Sequence, residues 1–139
     1  MTLAPERVRP RPNPTRLTEP FWEGTRLGVL RIQRCRACDH WRWTPLLACP
    51  RCWSEDTEWA AASGLGTVYS YTVVHRPVDP AQFQAPYVLA VVHLDEGPHM
   101  LTNIVGCAPD AVRVDMRVTV RFERLDDEFV VYPFAPTGS

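Results

Sequence analysis

The chain has 139 residues, 45% of them hydrophobic, with 15 arginines, 16 acids and no lysine, for a net charge of −1. That suffices for one ordinary domain or two small ones with a modest core, and no run approaches the roughly 18 apolar residues of a membrane span. The lack of lysine excludes Schiff-base chemistry and leaves arginine as the only strong side-chain cation for binding phosphate or carboxylate.

Residues 1–14 hold four prolines and three arginines without apolar periodicity, so an extended arm is expected. Prolines and arginines stand where a signal peptide would carry its apolar run, and a cytoplasmic setting is expected. From Thr15 the pattern changes: Thr18 is placed to cap a short helix opened by Glu19 and Pro20, Phe21 and Trp22 give it an apolar face, and Gly24 or Gly28 ends it.

Residues 29–34 alternate as a strand does and run into Cys35-Arg36-Ala37-Cys38. After Trp41 and Trp43, Pro45 turns the chain back toward Cys49-Pro50-Arg51-Cys52, and Trp59 closes the module on its far side. A C-x2-C pair turns two thiolates toward one point, and a second pair on a facing hairpin completes a tetrahedron around Zn2+. The expected ligands are Cys35, Cys38, Cys49 and Cys52, with one structural zinc per chain. Four thiolates leave no open position, so such a metal builds a surface and does not activate water. Iron in the same sulfur tetrahedron is the less favoured occupant, and a pair of disulfides would need an oxidising compartment. Knuckles of this kind often place glycine after the second cysteine, where the backbone turns left-handed. Asp39 tolerates that conformation and Trp53 tolerates it poorly, so an irregular second knuckle is expected.

Beyond residue 64 the chain reads as all β. Strands are expected at 66–75, 86–95 and 99–105, a fourth carries Val114, Met116, Val118, Val120 and Phe122 on one face, and a fifth spans 129–134. Five antiparallel strands, the first long, with an interruption near Asp110 between the third and fourth, match the small Greek-key barrel called the OB fold. The fold class is therefore mainly β: arm and short helix over 1–28, zinc ribbon over 29–60 and five-stranded OB-fold barrel over 61–139.

No catalytic machinery is legible, since the chain has no G-x-S-x-G elbow, phosphate loop or dinucleotide fingerprint. Cys107 reads as a packed small residue, and His75 as a strand-end histidine that could instead meet a partner. His40 is not needed as a ligand, and His93 and His99 read as solvated cross-strand neighbours. Phe21, Trp22, Trp41, Trp43, Trp53 and Trp59 divide evenly between an interface and a seal of the helix against the ribbon. Residues 1–53 balance at +6 and residues 54–139 at −7, which offers Arg31, Arg34, Arg36, Arg42 and Arg51 as receivers of phosphate groups or of an acidic partner surface.

The P-F-W-E-G helix (20–24), the two knuckles, G-L-G-T-V-Y-S-Y-T-V-V-H-R-P (64–77), P-Y-V-L-A-V-V-H-L-D-E-G (86–97) and L-T-N-I-V-G-C (101–107) together resemble the DUF35 family over residues 17–134. The resemblance implies an OB fold with a rubredoxin-like zinc ribbon and, in function, a non-catalytic accessory subunit. The implied partner is a thiolase-superfamily enzyme, an acyl-CoA thiolase or a lipid-transfer-protein-like aldolase of steroid side-chain degradation, in a hetero-oligomer whose acyl-CoA site the subunit helps shape. The alternative is a nucleic-acid binding module, since OB folds and zinc ribbons both serve that role. The acidic barrel half, which would repel a phosphate backbone, argues against it.

Overall fold

The computed structural model describes residues 11–81 and 83–137, so most of the expected arm lies outside the described residues. Helix α1 (Glu19–Arg26) has Thr18 at its N-cap position, but the Thr18 hydroxyl accepts from the Thr15 backbone N–H at 2.8 Å and does not cap the helix. The helix ends at Leu27, and Gly28 follows with φ +74°, the left-handed turn that glycine adopts without penalty. Gly24 serves a different purpose inside the helix. A Cβ there would lie 2.8 Å from the Val29 carbonyl and 2.9 Å from the Arg31 side chain, so its bareness lets α1 lie against the following strand. Gly24→Ala would gain about 1 kcal/mol of helix propensity, yet we expect thermal melts to show a net loss of stability because the clash with backbone outweighs that gain.

Strands β1 (Leu30–Cys35), β2 (Trp41–Arg42) and β3 (Thr57–Ala62) form an antiparallel sheet with β1 in the centre. Leu30 and Ile32 bury their side chains in the same apolar cluster as Phe21 of α1 and the barrel interior, so ribbon and barrel share a core.

A closed barrel follows, built from β4 (Leu65–Val74), β5 (Tyr87–Leu94), β6 (His99–Ile104), β7 (Arg117–Val120) and β10 (Phe134–Pro136). Strict alternation fixes its inner face: Val88, Ala90, Val92 and Leu94 on β5 meet Met100, Thr102 and Ile104 on β6. Two expected strands are corrected. The fourth is shorter than the 114–122 alternation, because Asp115 turns left-handed (φ +70°) and leaves Val114 exposed. The expected fifth strand at 129–134 is divided. Val130–Val131 (β9) pairs with Glu123–Arg124 (β8) in a separate hairpin, and β10 then starts at Phe134 and closes the barrel. Pro133 sits between them and has no N–H to donate to a ladder.

Candidate metal centre and ribbon surface

The two knuckles are built alike. At the first, Cys35 N–H donates to the His40 carbonyl (2.9 Å) and Asp39 N–H to the Cys35 carbonyl (2.8 Å); at the second, Cys49 N–H donates to Ser54 and Trp53 N–H to Cys49, both at 2.8 Å. Asp39 and Trp53 hold φ of +63° and +67°. The expectation of an irregular second knuckle is thus overturned: the backbone hydrogen bonds of the knuckle between Cys49, Trp53 and Ser54 hold Trp53 in the left-handed conformation despite its side chain.

These turns aim four sulfurs at one point. The Sγ atoms of Cys35, Cys38, Cys49 and Cys52 all lie within 4.8 Å of one another, with Cys35–Cys52 and Cys38–Cys49 each at 3.6 Å. A tetrahedron with metal–sulfur bonds of roughly 2.3 Å has edges of roughly 3.8 Å, so the sulfurs stand where a metal would hold them. All four thiols are free, and His40 is outside the cluster.

The thiols do not share their protons evenly. Burial resists ionisation of Cys49, but the backbone N–H groups of Cys52 and Arg51 and the thiols of Cys38 and Cys52 outweigh it and bring it down to about 6. At Cys38 the His40 backbone favours the thiolate, while burial and the thiols of Cys52, Cys49 and Cys35 prevail and push it up to about 12.

The aromatic residues mostly seal. Phe21 meets Trp22, Trp43 and Tyr132 edge-on at 5.0, 5.1 and 5.2 Å, and Trp22 meets Phe129 at 5.9 Å, so α1 is clamped between the ribbon and the β8–β9 hairpin. Trp41 and Trp59 are half-buried against the same core. Trp53 is the exception at 80% exposed, as is its neighbour in the knuckle approach, Leu47, at 77%.

Of the five ribbon arginines, Arg34 pairs with Asp39 and Glu58, Arg36 with Asp56 and Glu58, and Arg31 more loosely with Glu23. Arg42 is buried. Only Arg51 among them keeps an exposed side chain free of ion pairs within the described residues. His75 and Arg76 are exposed and border an open cleft of about 570 Å³ in the loop between β4 and β5, with Pro77, Pro80 and Phe83. His93 and His99 face each other across β5 and β6 with rings 4.9 Å apart, and Tyr69 stacks on His99. Cys107 packs partly buried on the core.

Residues 22–58 match the rubredoxin-like zinc ribbon domain of ChsH2, and residues 59–123 match the C-terminal OB-fold domain of ChsH2. A DUF35 domain-containing scaffold protein of Methanocaldococcus jannaschii is 35% identical over 73% of this chain and 75% of its own length. The chain belongs to the DUF35 family. A solved structure titled as the Ltp2-ChsH2(DUF35) aldolase is similar to it with a TM-score of 0.84 and 41% identity, over 92% of this DUF35 chain and 100% of that one. A probable enoyl-CoA hydratase alpha subunit of Thermomonospora curvata is 42% identical over 95% of this chain, which spans 41% of that protein's length. Among the described residues no helix is long and apolar enough to cross a membrane.

Proposed function

We propose that this chain is a non-catalytic subunit that binds a thiolase-superfamily enzyme, an acyl-CoA thiolase or a retro-aldolase, and helps assemble or shape its acyl-CoA site. The observation that carries the reading is the likeness, along the whole of the compared chain, to the DUF35 component of a protein titled as an aldolase. The shortening of steroid side chains held as CoA thioesters is the substrate class that the family resemblance suggests. In this reading the modules divide at 1–28, 29–60 and 61–139, and the chain works in the cytoplasm without membrane or nucleic acid. The pairing of Arg34 and Arg36 with acids supports the last point, since it leaves little free positive surface on the ribbon.

Cys35, Cys38, Cys49 and Cys52 hold one zinc ion in this reading, and the zinc supplies structure. With every coordination position filled by sulfur, it fixes the two knuckles and presents the ribbon tip to the partner. Trp53 and Leu47 are the apolar groups at that tip, and large exposed apolar side chains of this kind anchor interfaces.

Co-expression with the thiolase-like protein encoded nearest to this chain tests the proposal, with mass read by light scattering and activity on CoA thioesters. A stable hetero-oligomer active only with both chains supports it; a neighbour fully active alone, with this chain running separately, sinks it. Trp53→Gly adds a sharper test at the tip. Glycine relieves the left-handed strain at φ +67°, so the free subunit should gain about 1 kcal/mol in a thermal melt. The complex should nonetheless weaken by about tenfold or more in a binding titration, as loss of an anchor residue does.

A further inference from the structure

Arg42 is the only charged side chain fully buried among the described residues, at 5% exposed, and it has no acid partner. Its guanidinium donates from Nε to the Gln33 Oε1 (2.7 Å) and from Nη2 to the Thr57 Oγ1 (2.8 Å) and the Leu46 carbonyl (3.1 Å). All three acceptors are uncharged, and Nη1 is buried with nothing to donate to. A buried cation without a counter-charge costs several kcal/mol, so a small three-stranded sheet with little core of its own is a poor place to keep one.

Register shows where the missing charge belongs. Gln33 pairs with Arg42 and Cys35 with Thr57 across the central strand β1. Residues 33 and 35 share a face, so Arg42 reaches from β2 across β1 to Thr57 on the face from which the Cys35 thiol projects. Four thiolates around a divalent ion carry a net charge of −2, and this is the dianion that an unpaired buried cation on that face would balance.

We infer that Arg42 is the internal counter-cation of the four-cysteine metal centre, a positioning residue that stabilises the loaded site by charge while its hydrogen bonds hold the 43–48 loop leading to the second knuckle. The inference rests on the reading of Cys35, Cys38, Cys49 and Cys52 as metal ligands. Gln33 is the joint of this arrangement, because its Oε1 accepts from both Arg42 and the Leu46 N–H (2.8 Å). Neither role is visible in the fold alone, where Arg42 is only a costly burial.

The decisive variant is Gln33→Glu. It keeps the shape and both accepted hydrogen bonds, yet gives Arg42 a carboxylate partner of its own. Cobalt(II) is the probe, since its thiolate charge-transfer and visible bands report a tetrahedral sulfur site, and a chelator competition gives the affinity for cobalt and for zinc. We expect Gln33→Glu to bind metal about 10- to 100-fold more weakly with an unchanged cobalt spectrum. Arg42→Met should weaken metal binding comparably and Arg42→Lys should recover part of it, because lysine keeps the charge and loses the fork. Affinity of Gln33→Glu equal to that of the wild type overturns the inference, and so does an Arg42→Lys variant that binds metal no better than Arg42→Met. A wild-type chain that gives no tetrahedral thiolate spectrum overturns the metal reading beneath it.

Discussion

Chelating zinc out of the proposed four-cysteine site will unfold the ribbon while the barrel stays folded. The sheet that carries the cysteines has one strand of two residues and two of six, and its knuckles are held by a few backbone hydrogen bonds. Zinc bound by four cysteines contributes about 10–16 kcal/mol to a small domain of this kind, more than such a sheet can replace. The readout is built in, since all five tryptophans lie between residues 22 and 59 and four of them are half-buried. Their emission should shift to the red as metal leaves, while hydrogen exchange on β5 and β6 remains slow. Tryptophan emission that does not change in protein shown by metal analysis to be stripped would overturn the expectation.

Phe134→Ala will cost the barrel about 3–5 kcal/mol, the usual range for emptying a packed phenylalanine site. Phe134 is 0% exposed, and its position is also where the barrel closes, pairing parallel with Ile104 of β6 and antiparallel with Val120 of β7. With total stabilities of about 5–15 kcal/mol for domains of this size, the variant should lose about a fifth or more of the whole. Urea unfolding followed by far-ultraviolet dichroism reads the change as a fall in midpoint at unchanged slope. A loss below about 1 kcal/mol would mean that the site collapses around the smaller side chain and that closure does not depend on the ring.

Much of the architecture was legible because it follows from period and spacing. The two C-x2-C pairs located the four-sulfur cluster to the residue, and the alternation of 87–94 and 99–104 assigned the inner face of two strands. The misreadings have local causes. Alternation through Val114 and Met116 concealed the left-handed Asp115 between them, and the apolar run 129–134 concealed that Pro133 ends one pairing and Phe134 begins another. Trp53 looked a poor fit to its knuckle because propensity speaks for one residue, whereas the hydrogen bonds from Trp53 to Cys49 and from Cys49 to Ser54 dictate the backbone. The arginines were the least legible feature. Sequence groups Arg42 with Arg34 and Arg36, and only the fold separates a buried cation from two surface ion pairs. One clue did exist, since Trp41 and Trp43 flank Arg42 on a strand and, on a common half-buried face, would send it to the other.

The division of charge between the two halves of the chain has a kinetic consequence. Arg34 and Arg36 from the basic half meet Asp56 and Glu58 from the acidic half, and Arg11 meets Asp126 and Glu128 at the hairpin tip. Charges far apart in sequence are thus neighbours in space, and their fields cancel within a few ångströms. Where these pairs sit, the surface has little long-range potential with which to steer a collision. In the proposed complex, a partner meeting these surfaces would gain little electrostatic steering from them, and its rate of association there would change little with ionic strength.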